Sequence, residues 1–254
     1  MSQRVVITGG ASGIGQRLAE RFLANGADVA ICDADAGAVD RMQAAHPKCL
    51  SQQTDVRDEQ AMHAFLDTVE QRFGGADLVC ANAGTGGPAG LIETLDYQAW
   101  QDCIAVNLHG AFLTCRWAAR VMRAAGSGLI VLTSSTAGQF GYPYRAPYAA
   151  AKWAIVGLTK TLAMELGPAG VRVNAIAPGA VEGDRMERVI ANEARASGKT
   201  PDEIRASYVK GVSLRSWVSA DDIADTVEFL ASPAASKISG QVIAIDGHTE
   251  TLVP

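Results

Sequence analysis

The hydrophobic residues of this chain fall into strand-sized runs that are separated by longer amphipathic stretches. The runs are rich in Val, Ile, Leu and Ala and are bounded by Gly, Pro, Asn, Asp or Ser, a pattern typical of buried parallel strands. On this pattern we predict seven strands, at residues 4–7, 28–33, 48–54, 76–81, 128–133, 171–177 and 240–245.

The stretches between the strands have the apolar spacing of helices. We predict helices at residues 16–24, 58–73, 97–125, 146–166 and 221–230. The polar segment 182–217 contains three glycines and a helix start at Thr200-Pro201, and we interpret it as a lid. The alternation of strands and helices predicts an α/β fold: a single-domain Rossmann-type doubly wound parallel sheet of seven strands, with helices on both faces.

Composition narrows the class of protein. The hydrophobic fraction of 48% supports a sizeable core, and no repeat or linker divides the 254 residues, so we expect one domain at 1–254 with a substrate lid at about 182–217. The net charge of −5 argues against a nucleic-acid partner. Without a signal peptide or an apolar run of membrane-span length, the chain is expected to be cytoplasmic, with no membrane partner.

Cysteine and histidine spacing gives no sign of a metal site. The five cysteines form no Cys-x-x-Cys pair, and their odd number fits a reducing compartment better than a disulfide framework. The four histidines lack metal-ligand spacing. We therefore expect no metal.

A glycine-rich stretch connects the first predicted strand to the first predicted helix. It reads Thr-Gly-Gly-Ala-Ser-Gly-Ile-Gly over residues 8–15. Glycines let the backbone turn sharply and approach a pyrophosphate, and the free N–H groups of a helix N-terminus attract the phosphate charge. The spacing differs from the standard Gly-x-Gly-x-x-Gly fingerprint, and alone it also fits a simple turn. Its place in the first strand–helix unit favours a dinucleotide phosphate cradle.

Two further strand ends carry residues that suit a dinucleotide. Asp33 ends the second strand, where a carboxylate can accept hydrogen bonds from a ribose and repels a 2′-phosphate. No Arg or Lys lies between Asp33 and Arg41, so we predict NAD rather than NADP; the alternative is a solvated loop carboxylate. Asn82-Ala83-Gly84 follows the fourth strand, where small residues permit close approach of a ring or ribose, although a turn alone explains them equally well.

Tyr148 and Lys152 stand four residues apart in the predicted helix 146–166, so their side chains share one face. A neighbouring ammonium lowers the pKa of a phenol, which makes Tyr148 a candidate acid/base. A lone Tyr-x-x-x-Lys is more often a helix aromatic beside a solvated charge. Ser135 reverses that balance, because it follows the strand 128–133 and lies at the carboxyl edge where open α/β sheets bind ligands.

Together these motifs resemble the classical short-chain dehydrogenases/reductases over essentially the whole chain. The resemblance implies a catalytic tetrad of Asn107, Ser135, Tyr148 and Lys152. The cofactor-binding residues that follow from it are Gly9, Ser12, Gly13, Ile14, Gly15, Asp33, Asp55, Val56, Asn82, Ala83, Gly84, Tyr148, Lys152, Pro178, Gly179 and Val181. It also implies a homotetramer.

One position departs from the family pattern. The family typically has a Thr four residues after the Gly of Pro178-Gly179, where its side chain holds the nicotinamide carboxamide, and here Gly183 occupies that place. We therefore expect backbone groups near Val181 to hold the carboxamide.

The resemblance implies hydride transfer between nicotinamide and a small-molecule alcohol or ketone. Ser135 would bond the reacting oxygen and Tyr148 would transfer its proton. Lys152 would lower the pKa of Tyr148 and bind the ribose, and Asn107 would support a water path to solvent. The predicted function is an NAD-dependent dehydrogenase of a polyol, sugar or hydroxy acid. The alternatives are a 3-oxoacyl thioester reductase, which usually prefers NADP, and a non-catalytic NAD-sensing protein.

Three arginines suggest that the substrate is an anion. Arg145 stands three residues before Tyr148, and Arg185 and Arg188 lie three apart in the predicted lid. Guanidinium groups that close over the site would suit a carboxylate, sulfonate or phosphate on the substrate. The alternative for Arg145 is a side chain that extends to solvent or pairs with a surface carboxylate.

Overall fold

The computed structural model describes residues 2–251, apart from the side chain of Arg185. Within these residues seven parallel strands form one sheet, in the order β3-β2-β1-β4-β5-β6-β7. The strands are β1 (Arg4–Thr8), β2 (Asp28–Asp33), β3 (Leu50–Gln53), β4 (Leu78–Ala81), β5 (Gly128–Thr133), β6 (Val171–Pro178) and β7 (Val242–Ile245). The helices are α1 (Gly13–Ala24), α2 (Ala36–Ala45), α3 (Glu59–Phe73), α4 (Tyr97–Ile104), α5 (Gly110–Ala125), α6 (Ala146–Leu166), α7 (Asp184–Ser197), α8 (Pro201–Lys210) and α9 (Ala220–Ala231). The predicted seven-stranded parallel sheet is confirmed.

Each face of the sheet carries its own apolar core. On one face, Val6 belongs to a cluster with Phe65 of α3 and Met122 of α5. On the other face, Val5 belongs to a cluster with Phe22 of α1, and α2 and α9 complete that layer. Because helices cover both faces, the central strands are buried throughout and have continuous apolar sequences instead of alternating ones.

The structure contains one helix that was not predicted and divides another that was. Helix α2 was not among the predicted elements, although Asp35 caps it by accepting a hydrogen bond from the Ala38 N–H at 3.0 Å. The predicted helix 97–125 consists of α4 and α5 with a π-helical segment, Ala105–His109, between them. Both differences depend on local hydrogen bonding that apolar spacing does not report.

The predicted lid segment 182–217 contains two helices, α7 and α8. They pack on each other around Ile190, Ala194 and Ile204. The predicted helix start at Thr200 is confirmed by a capping box, in which Thr200 Oγ1 accepts from the Glu203 N–H and the Glu203 carboxylate accepts from the Thr200 N–H.

The strand order places a crevice at the carboxyl ends of β1 and β4. The connections that leave these neighbouring strands run to opposite sides, and open α/β sheets bind ligands at such a point. Gly9 follows β1 and Asn82 follows β4 at this edge. Within residues 2–251, every helix falls short of the length or the hydrophobicity that a membrane span requires.

Candidate active site

A cavity of about 850 Å³ occupies this crevice and extends beneath α7 and α8. All the predicted cofactor-binding residues line it, from Gly9 in the glycine turn to Val181 after β6. Ser135, Tyr148 and Lys152 line its wall as well. The fold therefore brings residues from most of the chain length to one cavity.

The glycine turn has no room for side chains at three positions, of which Gly9 and Gly15 line the cavity. Gly9 has a φ of +63°, and a Cβ there would lie 2.9 Å from the Ala83 Cα. A Cβ on Gly15 would lie 2.0 Å from the Gly9 carbonyl oxygen. The turn leads into α1 at Gly13, and the first N–H groups of a helix lack partners inside the helix. This cradle fits a diphosphate, as the sequence predicts.

Asn82 ties three strand ends together, a role that the sequence did not reveal. Its side-chain amide donates to the carbonyl oxygens of Thr8 and Gly9 at 3.2 and 3.1 Å, and its Oδ1 accepts from Thr133 Oγ1 at 3.3 Å. Thr8 Oγ1 in turn accepts from the backbone N–H groups of Asn82 and Ala83. The Asn82-Ala83-Gly84 turn therefore fixes the edge of the crevice.

Asp33 lies at the predicted adenosine end of the cavity. Its carboxylate accepts hydrogen bonds from the N–H groups of Ala11 and Asp35, both at 3.2 Å, which fix its position at the rim. Arg41, the first cation after Asp33 in the sequence, lines the same cavity. The carboxylate and this guanidinium have opposite effects on a 2′-phosphate.

Asp55 has a cationic partner, Arg57, that was not predicted from the sequence. Arg57 donates to its carboxylate through Nε and Nη2, at 3.0 and 2.6 Å. These hydrogen bonds hold the pKa of Asp55 below its usual range, against the opposing effect of partial burial. Both residues remain at the cavity wall, where their backbone and side-chain groups can contact an adenine.

Lys152 is fixed beside Tyr148. Its Nζ donates to the Thr133 carbonyl oxygen at 2.8 Å and lies 5.6 Å from the centre of the Tyr148 ring. Ser135 stands across from them at the end of β5, where its Oγ accepts from the Ala137 N–H at 3.2 Å. A Cβ on Gly138 would lie 2.7 Å from the Lys152 carbonyl oxygen, so this glycine lets α6 approach the end of β5. The three predicted catalytic side chains therefore meet at the cavity.

Asn107 lies in the π-helical segment, behind the cavity lining, and is 1% exposed. Its Nδ2 donates to the carbonyl oxygens of Cys103 and Thr85, at 2.9 and 3.0 Å. Within residues 2–251 its buried Oδ1 has no hydrogen-bond partner. A buried acceptor without a partner fits a site that is completed by a bound molecule.

Arg145 lies inside the cavity wall and is 3% exposed, so the surface alternative for this residue is wrong. Its Nη1 donates to Glu193 of α7 and its Nη2 to the Gly86 carbonyl oxygen, both at 2.8 Å. Glu193 was not predicted from the sequence, because a separation of 48 residues gives no local signal. Arg188 also lines the cavity but is exposed, and the side chain of Arg185 lies outside what the structure describes.

Gly183, the residue at the family's Thr position, has a φ of +129°, which a threonine would rarely adopt. Nearby, Val181 forms a bridge with Val218, and the Glu182 N–H donates to the Val218 carbonyl oxygen. These contacts hold the segment after β6 at the cavity wall. No metal-binding group of three or more His, Cys, Asp or Glu side chains occurs in the described part of the chain.

Comparison with known proteins agrees with this site. A family model described as "Enoyl-(Acyl carrier protein) reductase" matches residues 9–248. A cis-4-hydroxycyclohexanecarboxylate dehydrogenase of Sinomonas cyclohexanicum is 36% identical over 245 residues, which are 95% of this chain and 94% of that protein. The 3-oxoacyl-[acyl-carrier-protein] reductase FabG of Staphylococcus aureus is 32% identical over 252 residues, 97% of this chain and 98% of that protein.

Solved structures show the same fold with nicotinamide cofactors. The structure of an NAD⁺-bound xylitol dehydrogenase is 29% identical with a TM-score of 0.92, and covers 96% of this chain and 98% of its own. An actinorhodin polyketide ketoreductase with NADPH is 28% identical, also with a TM-score of 0.92, and covers 97% of this chain and 96% of its own. The fold and the cavity thus define an α/β oxidoreductase that uses a nicotinamide cofactor. The chain belongs to the classical short-chain dehydrogenase/reductase family.

Proposed function

We propose that the protein is an NAD-dependent dehydrogenase that interconverts a secondary alcohol and a ketone. The observation that carries the proposal is the convergence of Ser135, Tyr148 and Lys152 on one cavity wall. The ammonium that lies 5.6 Å from the phenol ring favours the phenolate form of Tyr148. A phenol with a lowered pKa can exchange a proton with a substrate oxygen near neutral pH.

In the proposed reaction, Ser135 Oγ donates a hydrogen bond to the substrate oxygen. Tyr148 removes the hydroxyl proton during oxidation and returns it during reduction, and Lys152 stabilises the phenolate. Asn107 Oδ1 accepts from a water that passes the proton towards solvent. When bound, the nicotinamide takes up or supplies the hydride. The prearranged donors stabilise the charge that develops on one oxygen.

Replacement of Tyr148 by Phe tests this assignment. We expect Tyr148→Phe to remove turnover and to leave NADH binding nearly intact, because the ring still packs and only the proton-transferring oxygen is lost. General acid–base catalysis contributes roughly 10²–10⁴ in rate. Steady-state assays measure kcat, and fluorescence titration measures NADH binding. Tyr97→Phe, at a 71% exposed tyrosine on α4, is the control. A Tyr148→Phe enzyme with more than about a tenth of the wild-type kcat would exclude the role.

We propose that NAD is preferred over NADP because of the Asp33 carboxylate. Held by Ala11 and Asp35, it can accept bonds from ribose hydroxyls and repels a 2′-phosphate. The ratio of kcat/KM for the two cofactors measures the preference, and Asp33→Ala should narrow it. Arg41→Ala should lower the efficiency with NADP selectively. Equal or better efficiency of the wild type with NADP would refute the NAD assignment.

We further propose that the substrate carries an anionic group. Glu193 already compensates the charge of Arg145, so the arginine that supports this proposal best is Arg188, which lines the main cavity and an adjoining cavity of about 180 Å³. Asn192, one turn further along α7, lines the smaller cavity. The relative from Sinomonas cyclohexanicum acts on a hydroxycyclohexane that bears a carboxylate.

Arg188→Gln tests the anionic substrate. Hydrogen bonds to charged groups contribute about 1.5–3 kcal/mol, so kcat/KM for hydroxy acids should fall roughly 10-fold to 150-fold. Neutral alcohols should be barely affected. Arg195→Gln is the matched control, since this exposed arginine lies on the same helix but outside the cavity. If the wild type prefers neutral polyols, the anionic class is wrong.

A 3-oxoacyl thioester reductase is the second candidate, because the FabG relative acts on this class of substrate. Assays with NAD and a panel of secondary alcohols, and with NADPH and a 3-oxoacyl thioester, distinguish the two enzymes. If neither assay shows activity, a non-catalytic NAD-sensing protein is favoured. We also propose a homotetramer, as the family resemblance implies, and a cytoplasmic location, as expected from the sequence patterns.

A further inference from the structure

A polar cluster in the cavity wall lies beside the proposed acid/base. It consists of Arg145, Glu193, Tyr142 and Tyr208, which we call the Arg145 cluster. The Tyr142 and Tyr208 hydroxyls donate to the Glu193 carboxylate at 2.8 Å and contact each other. The cluster connects the loop before α6 to the lid helices α7 and α8. Arg145 and Glu193 are 3% and 2% exposed, and the two tyrosines are half-buried.

The guanidinium of Arg145 also lies against the Tyr148 ring. Its Cζ is 5.1 Å from the ring centre, closer than the Lys152 ammonium at 5.6 Å. Two cations therefore contact the same phenol, and only one of them is part of the family tetrad. Opposite charges within about 4–6 Å favour the ionised form of a titratable group, and the effect is larger where water is excluded.

Other charged or titratable groups lie in or just behind the cavity wall on neighbouring elements. Cys103 is buried on α4, whereas Asp184 and Arg188 of α7 and Glu182 before it are exposed. Solvent and salt screen the exposed groups far more than the buried ones. Among the described carboxylates that line the cavity, Glu193 is the one that is both buried and paired with Arg145. It is therefore the main group that offsets the Arg145 charge.

We propose that Arg145 is a second positioning residue that stabilises the phenolate of Tyr148, and that Glu193 limits the strength of this effect from the lid. The inference rests on the proposed acid/base role of Tyr148. Because Glu193 belongs to α7, movement of the lid would change how much of the Arg145 charge acts on the phenol. The lid would thereby adjust the acid/base, in addition to covering the substrate.

The ionisation of Arg145 agrees with this arrangement. Burial lowers the pKa of its guanidinium, but electrostatic interactions with Tyr142, Glu193 and Tyr148 oppose that effect, and the pKa lies above its usual value. The electrostatic coupling is mutual, so a phenolate that stabilises the guanidinium is stabilised by it. Burial is the largest cause that raises the pKa of Tyr142 and of Tyr208, which keeps both as neutral donors to Glu193.

Two substitutions that break the same ion pair should shift the Tyr148 ionisation in opposite directions. In the pH profile of kcat/KM, Arg145→Met should raise the acid/base pKa by about 1 unit, because a cation is lost. Glu193→Gln should lower it by about 0.5 unit, because the Arg145 charge is no longer offset. A merely structural role would lower activity in both variants and leave the pKa unchanged.

A double variant controls for misfolding, since a buried Glu193 carboxylate without Arg145 would destabilise the fold. Arg145→Met/Glu193→Gln leaves no unpaired charge and should give a pKa between those of the single variants. Thermal melts check that each variant folds. If Tyr148→Phe is inactive but Glu193→Gln and the double variant keep the wild-type pKa, the inference is wrong. If Tyr148→Phe remains active, the proposed function fails first.

Discussion

At the scale of single residues, two adjacent serines have separate duties. Ser134 Oγ donates to the Lys152 carbonyl oxygen at 2.9 Å, which joins the end of β5 to α6. Within residues 2–251 Ser135 Oγ, one position later, accepts only from the Ala137 N–H, so its own O–H remains available to a substrate. Ser134 therefore has a structural role, whereas the hydroxyl of Ser135 can donate to a substrate.

This difference predicts separable effects. Ser135→Ala should lower kcat roughly 10²-fold or more, because a donor to the developing oxyanion is lost, and should leave the melting temperature almost unchanged. Ser134→Ala should cost about 1 kcal/mol of unfolding free energy, as a lost buried hydrogen bond does, and should reduce kcat much less. Steady-state kinetics and denaturant unfolding measure both. The assignment is wrong if Ser134→Ala has the larger effect on kcat and Ser135→Ala the larger effect on stability.

At the scale of elements, an ion pair joins β1 and β4 at the edge opposite the site. Arg4 donates to the Asp77 carboxylate through its backbone N–H, Nε and Nη2, at 2.8, 3.0 and 2.6 Å. These bonds hold the pKa of Asp77 below its usual value, and burial opposes them. The two strands that flank the ligand crevice are therefore clamped at their amino ends as well as by Asn82.

Asp77→Asn should destabilise the fold at neutral pH but not in acid. The pair is partly exposed, so the expected loss is only about 0.5–1 kcal/mol. The folded pKa lies below the unfolded value of about 3.9, so the ionised carboxylate stabilises the fold above that pH. The contribution disappears as the pH falls through the folded pKa. Urea unfolding of both proteins at pH 7 and near pH 3 checks this, and a gap of equal size at both pH values would contradict it.

At the scale of the whole molecule, large apolar side chains remain exposed on packed helices. Tyr97 of α4, Phe112 of α5, and Trp153 and Met164 of α6 are 71%, 48%, 50% and 81% exposed. Exposed apolar side chains on neighbouring helices are characteristic of interfaces between subunits. They support the proposed homotetramer.

Charges placed on these side chains should dissociate the proposed tetramer. Trp153→Glu/Met164→Glu should lower the molar mass in light scattering from four chains to two or one, because charged side chains are costly to bury. Leu214→Glu is the matched control, at a 71% exposed leucine in the lid segment. A wild-type protein that sediments as a monomer would refute the homotetramer.

Local patterns in the chain were sufficient for much of the architecture. Apolar runs gave the seven strands, and helical spacing placed Tyr148 and Lys152 on one face, because both depend on residues that are near in sequence. Helix α2 and the π-helical segment were missed, since capping by Asp35 and a shifted hydrogen-bond register leave little trace in hydrophobic periodicity.

Contacts between distant residues emerged only with the folded chain. The Arg145–Glu193 pair joins residues 48 positions apart, and Asn82 bonds across 74 positions to Thr8. Neither pairing has a local signature, because each depends on the crossing of strands and on the packing of α7 over the cavity. For the same reason the sequence suggested an arginine near the substrate, while the buried carboxylate that offsets its charge became visible only in three dimensions.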